Sequence, residues 1–227
     1  MPRITSITDQ KANARRFKEK KDKRYNIFLN GKYAFSVGEE NLLKLQLKEG
    51  QNISESRINS LKKEENQNKL LDKAINFLSY RLRSEQEIKD YLIKTISKSE
   101  KVKWVIAKES GLPEYVIKKL KKYGYVNDID FTKWWIQSRT KARPKGRKLI
   151  EIELIKKGIN KELINKLLPP RPKTDLELAL KVLEKKRTKL EKLEPREVQR
   201  RIFNYLISRG FDYDVIHEAF AIYSKKR

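Results

Sequence analysis

Three glycines constrain what this chain can fold into. Gly111, Gly158 and Gly210 are followed by LPEYVIKKL, INKELINKL and FDYDVIHEAF. Each has an apolar pair five and six residues later: Val116-Ile117, Leu163-Ile164 and Val215-Ile216. Each has a further apolar or small residue nine later: Leu120, Leu167 and Ala219. Upstream, Leu154-Ile155-Lys156-Lys157-Gly158-Ile159 matches Leu206-Ile207-Ser208-Arg209-Gly210-Phe211. Glycine adopts the left-handed conformation that closes a helix without steric penalty. Each anchor therefore reads as a helix stop, a tight turn and a new helix with its apolar stripe at i, i+1, i+4. With the helix before it, the unit is a three-helix repeat, present three times in tandem. The first copy departs from the others. Its counterpart of Leu154 and Leu206 is Leu92, yet its glycine is Gly111, so about fifteen residues, among them Lys98, Lys101, Lys103 and Trp104, are inserted or lengthen the helix.

Glycine and proline, 8 and 7 in 227 residues, are too few to punctuate many turns, which agrees with long helices. The exception is the N-terminal part. Tyr25–Leu29 and Lys32–Val37 flank Asn30-Gly31, the pair that a two-residue hairpin turn with positive φ at both positions requires. Ile4–Thr8 and Gln51–Ser54 read as further short strands, and Glu39–Leu47 as a short helix. Residues 1–60 thus form a small β-rich module, and Ser60–Lys69 continues as a polar helix. The repeats follow as 61–126, with the extended or inserted segment near 93–110, then 127–173 and 174–227. Ser84-Glu85-Gln86-Glu87 and Thr174-Asp175-Leu176-Glu177 both read as capping boxes, in which the hydroxyl accepts from the first turn and the glutamate reaches back. Asp128 reads as the N-cap after the Gly124 turn.

Fifty-five Lys and Arg stand against 30 Asp and Glu, a net charge of +25. The excess is spread out, at +7 over residues 1–70, +6 over 71–126, +8 over 127–173 and +4 over 174–227. One stretch stands apart: Gln137–Lys148 carries Arg139, Lys141, Arg143, Lys145, Arg147 and Lys148 with no acid among them. Such a block attracts phosphates or another acidic surface. Lys185, Lys186, Arg187 and Arg209 form a second set in the last repeat. Many classes of function drop out. With no cysteine and one histidine, a disulfide framework, a thiolate metal site and a two-histidine relay are excluded. No apolar run approaches membrane-spanning length, the N-terminal MPRITSITDQKANARRFKEKK lacks an apolar core, and a soluble cytoplasmic protein is expected.

An enzyme finds little support. Neither GxxxxGK[ST] nor GxGxxG occurs, so no phosphate-cradling loop is expected, and no cofactor or metal is called for. Glu151/Glu153 and Asp128/Asp130 are i, i+2 pairs, and on a helix Glu151 and Glu153 do not share a face. His217 reads as a surface or packing residue. Trp134 and Trp135 point about 100° apart on a helix; one belongs to the core and the other is free to stack on a base or partner. Phe203, Tyr205, Phe211 and Tyr213 read as mostly core. No single helix presents an Arg/Asn/Gln face of the kind that reads bases, so the helices pack with each other as a solenoid-like array rather than as a sequence-specific helix-turn-helix.

The repeated residues also carry a resemblance. Ala74–Glu85 (AINFLSYRLRSE) resembles the first-repeat signature of the RecX family, regulators of the RecA recombinase. Tyr123–Asp128 resembles that family's junction between first and second repeats. Trp135–Arg139, Gly146 and Leu154–Ile159 resemble the second repeat, and Lys185-Lys186 with Tyr205–Phe211 the third. The hairpin Tyr25–Val37 is similar to the family's N-terminal extension. The resemblance implies a mainly α, elongated and curved array of three repeats. It implies a monomeric, non-enzymatic protein of DNA repair, homologous recombination and the SOS response, without catalytic residues. Its partner would be RecA and the RecA nucleoprotein filament, with single- or double-stranded DNA as a further ligand. The reading left open beside it is a stand-alone basic nucleic-acid-binding module, or a scaffold for another acidic protein.

Overall fold

The structure, a computed structural model, describes residues 1–9, 23–141, 144–170 and 172–225. Met1–Ala74 and Ile75–Arg227 form two compact units. In the first, β1 (Ile4–Asp9), β2 (Arg24–Leu29) and β3 (Lys32–Gly38) make an antiparallel sheet in the order β1-β2-β3. Asn30 and Gly31 take φ of 48° and 77°, the turn the sequence predicts. The sheet's inner face, Ile4, Ile27, Phe35 and Val37, packs with Leu47, Ile53, Ile58 and Leu61. Alongside lie α1 (Glu39–Lys44) and the first part of α2 (Glu55–Leu78). Gln51–Ser54 is not a strand. Asn52 makes one isolated bridge to Arg3, because α2 begins at Glu55 before a ladder can extend. Glu65, 6% exposed on α2, is ion-paired with Arg24 and Lys69, so its burial leaves no charge unpartnered.

The second unit contains α3 (Glu85–Glu100), α4 (Trp104–Glu109), α5 (Leu112–Lys122), α6 (Asp128–Lys141), α7 (Arg147–Lys156), α8 (Lys161–Leu167), α9 (Pro172–Glu184), α10 (Arg187–Leu190), α11 (Pro195–Ser208) and α12 (Tyr213–Lys225). The three repeats are the end of α2 with α3 and α5, then α6-α7-α8, then α9-α11-α12; α4 and α10 are extra turns. Helix α2 is continuous from residue 55 to 78, so the polar stretch 60–69 belongs to the same helix that opens the first repeat. Each repeat has its own core: Ile88, Leu92, Val116 and Leu120 in the first; Phe131, Trp135, Ile150, Leu154 and Ile164 in the second; Ala179, Leu183, Ile202, Leu206 and Ile216 in the third.

Gly158 and Gly210 end α7 and α11 identically. Their φ values are 78° and 79°. The glycine N–H donates to Ile155 O and Ile207 O, and the next residue's N–H donates to Leu154 O and Leu206 O. In the first repeat Gly111, at φ 68°, does follow a helix end, that of α4, whereas α3 stops earlier at Lys101, at φ 54°, with Val102 N–H reaching Ser97 O. The extra residues therefore do two things: they lengthen α3 by two turns and they add α4. Gly111 serves as the N-cap of α5. Two of the expected caps need correcting here. Helix α9 starts at Pro172, whose fixed φ suits a first helical turn, so Thr174 lies inside the helix. Asn127, not Asp128, caps α6, its Oδ1 accepting from Ile129 N–H at 2.9 Å.

Candidate partner-binding surface

The acid-free block, contiguous in sequence, is dispersed by the fold onto acceptors brought from elsewhere. Arg139 donates through Nε to Glu153 Oε2 at 2.7 Å and stacks on Trp135 at 4.0 Å from the ring centre. Lys145 is ion-paired with the other oxygen of Glu153, and Trp135 donates its indole N–H to the same carboxylate at 3.0 Å. Burial alone opposes ionisation of Glu153, but the hydrogen bonds from Lys145 and Arg139 prevail and hold its pKa below the usual carboxylate range. Arg147 bonds Leu168 O at 3.1 Å and pairs with Glu151 at 3.4 Å, and Lys148 pairs with Asp212 at 2.7 Å. Lys141 is exposed and has no ion pair among the described residues, and Arg143 lies outside them. Four of the six cations thus serve the fold, which sequence proximity hides because Glu151, Glu153 and Asp212 follow the block.

Two junctions between repeats are built alike. At the first, Ser84 caps α3 and accepts from Glu87 N–H at 3.2 Å, while its own hydroxyl donates to Lys157 O at 2.7 Å. Glu87 does not reach back to the cap. It takes a two-pronged bond from Arg81, at 3.0 and 2.8 Å, and one from Lys157 at 2.6 Å. Burial pushes the Glu87 pKa upward, yet those two partners outweigh it and bring it down to about 2. Asp128 accepts from Glu85 N–H at 2.9 Å, and burial raises its pKa against that bond. At the second junction Gly146 caps α7, and its N–H donates to Arg209 O at 2.8 Å.

In the last repeat Lys185 is exposed, Arg187 is occupied by Glu184 and Glu191, and Lys186 and Arg209 lie over the ring of Tyr205 at 4.6 and 5.0 Å. Arg209 also donates to the Tyr205 hydroxyl at 2.9 Å. Phe211 is core, Phe203 and Tyr205 are half-buried, and Tyr213 is exposed. His217 is exposed and edges onto Phe203 and Tyr213. Trp135 is the buried tryptophan of its pair; Trp134 is half-buried beneath Arg81. One feature has only a partial signal in the sequence. Helix α4 leaves Trp104, Val105 and Ile106 about half exposed, with Lys108 Nζ 5.6 Å from the Trp104 ring centre; Lys98, Lys101 and Lys103 precede them in sequence, and none of these three has a described carboxylate within ion-pair distance.

Comparison with known proteins adds the decisive observation. A regulatory protein RecX from Listeria welshimeri is 35% identical over 218 residues, covering 96% of this chain and 74% of that protein. The chain belongs to the RecX family. RecX of Bacillus velezensis is 36% identical over 220 residues, covering 96% and 76%. The RecX N-terminal domain matches residues 2–54, and the first, second and third RecX three-helix domains match 71–95, 127–168 and 173–220. Helix α4 falls between the first two helical matches. Among solved structures, a crystal structure of a regulatory protein RecX covers 97% of this chain and 100% of its own, with 25% identity and a TM-score of 0.67. RecX from Lactobacillus salivarius covers 68% and 94%, with 26% identity and a TM-score of 0.55. Among the described residues no helix is long and apolar enough to cross a membrane.

Proposed function

We propose that this chain is a non-enzymatic regulator of a RecA recombinase in the cytoplasm, which binds the RecA–DNA filament and lowers its ATPase and strand-exchange activity. The observation that carries the reading is the order of the matches: all four RecX domains occur in sequence along one chain, on a fold of three helical repeats. The chain acts by binding, with no catalytic residue of its own. In this reading Lys141, Arg143 and Lys185 supply charge to the partner. Arg139, Lys145, Arg147 and Arg187 hold the surface in shape through their internal pairs, and the outward part of Lys148, 62% exposed, contributes to both. A positive surface of this kind speeds association and makes it salt-sensitive.

The deciding measurement is the single-strand-dependent ATPase of RecA titrated with this protein. The rate is expected to fall progressively below one-to-one stoichiometry, and a flat titration with unchanged strand exchange overturns the assignment. Lys141→Glu with Arg143→Glu is expected to weaken filament binding about tenfold at low salt and to flatten its salt dependence, with thermal stability unchanged. Lys145→Glu is expected to behave oppositely: it puts a second carboxylate against Glu153 and costs stability first.

A second reading, a stand-alone nucleic-acid binder, is favoured by α4. A half-exposed tryptophan with a lysine over its ring, on a strongly basic segment, is the arrangement on which bases stack and phosphates settle. Binding of free single-stranded DNA that Trp104→Ala weakens, with no effect on RecA, selects it.

A further inference from the structure

The two junctions differ in one respect that their common design brings out. Lys157 and Arg209 hold the same place, one residue before the helix-ending glycine, and each lies over an aromatic ring beside a second cation. At the first junction the pair is Lys157 and Arg139 over Trp135, at 5.5 and 4.0 Å. At the second it is Arg209 and Lys186 over Tyr205. The first pair is neutralised twice: Arg139 by Glu153, five residues before Gly158, and Lys157 by Glu87, three residues after the cap Ser84. At the second junction the corresponding positions are Tyr205, five before Gly210, and Leu149, three after the cap Gly146. Both carboxylates have gone and both cations remain. Neither Lys186 nor Arg209 has a carboxylate of the described residues within ion-pair distance, and both are half exposed.

We propose that Lys186 and Arg209, framed by Tyr205, form a docking point for a carboxylate presented by an acidic segment of a protein partner. The chemistry of the occupant follows from the first junction, where the two cations over the Trp135 ring are met by glutamate side chains; at the second, Tyr205 is itself the ring and stands in the place of Glu153, so no internal carboxylate meets the cations. The surroundings are complementary to it. Lys185 is exposed beside the pair, and Tyr205 already supplies a ring face and a hydroxyl that orient the guanidinium. The proposal rests on the reading of the chain as a regulator that binds a protein filament, and refines where an acidic side chain of that filament is held.

The test installs the internal glutamate. Tyr205→Glu copies position 153 of the preceding repeat and is expected to fold with unchanged or raised thermal stability. Tyr80→Glu makes the same change of charge at a side chain that is 84% exposed on the turn before α3. Two labelled probes, a polyglutamate peptide and a single-stranded oligonucleotide, are titrated into the wild type and both variants, alongside the RecA–DNA filament. Tyr205→Glu is expected to weaken polyglutamate and filament about tenfold and the oligonucleotide by no more than Tyr80→Glu does. Lys186→Ala with Arg209→Ala should reproduce the loss without adding a carboxylate. Equal loss from Tyr205→Glu and Tyr80→Glu overturns the proposal, as does a loss confined to the oligonucleotide, which would make the ligand a phosphate. Failure of the wild type to bind the filament removes the RecA reading alone, since the peptide titration still decides the docking point.

Discussion

Gly146→Ala is expected to cost more than about 3 kcal/mol of stability, as much as a severe core clash, although its backbone conformation suits alanine. Gly146 has φ −70° and ψ 162°, which any residue adopts. A Cβ there would lie 2.2 Å from Gly210 O, 2.4 Å from Gly210 C and 2.4 Å from Phe211 N. All three are backbone atoms, so no rotamer change relieves the overlap, and α7 must withdraw from the end of α11. The Gly146 N–H bond to Arg209 O is lost with it. Gly124→Ala isolates the other reason for glycine. At Gly124 φ is 74° and nothing lies within 4 Å of an added Cβ, so only backbone strain remains, about 1 kcal/mol. Urea denaturation of the two variants checks the difference. A Gly146→Ala loss no larger than that of Gly124→Ala would show that the second and third repeats are not packed this closely.

That contrast shows what could be read from the sequence and what could not. Gly158 and Gly210 were legible because a helix stop is a local property: a left-handed residue, two carbonyls to satisfy, an apolar residue following. Gly146 carries no such mark, since its glycine is required by the approach of residue 210, far along the chain. Lys101 was illegible as a stop because a lysine in the left-handed region is uncommon and is held there by Ser97 and Val102. The apolar stripes gave the three cores, as burial follows helical period, but of Phe203, Tyr205, Phe211 and Tyr213, expected as mostly core, only Phe211 is buried, and Tyr213 is exposed. The candidate site was less legible. Six cations without an acid looked like one free patch, but charge proximity in three dimensions depends on which acidic helix face is folded against it. Glu153 and Asp212 take three of them. The junction constellations, by contrast, could have been found by laying the repeats over one another and asking which carboxylates are conserved between Glu87 and Leu149, and between Glu153 and Tyr205.

Acid is expected to open the first junction between about pH 4.5 and 2, and Glu87→Gln to abolish that part of the acid sensitivity. The sign follows from the depressed pKa. Unfolded, Glu87 titrates near an ordinary glutamate value of about 4.3; folded, Arg81 and Lys157 hold it at about 2. Its contribution is therefore complete above the unfolded value, declines as pH falls through the interval, and is gone once the folded group is protonated. The side chain is only 13% exposed, so solvent screening removes little of the effect, which is of the order of 3 kcal/mol. Glu87→Gln should lie about 2–3 kcal/mol below the wild type at pH 7, because Arg81 and Lys157 then face a neutral amide at a half-buried site. The two curves should converge as pH approaches 2. Asp128, whose pKa burial raises, contributes with the opposite sign and is present in both proteins, so it cancels in the comparison. Urea unfolding at successive pH values measures the gap directly. A gap that stays constant from pH 7 to 2 would mean that Glu87 stabilises the junction by shape rather than by charge, whereas convergence identifies the Arg81–Glu87–Lys157 cluster as the ionic lock between the first and second repeats.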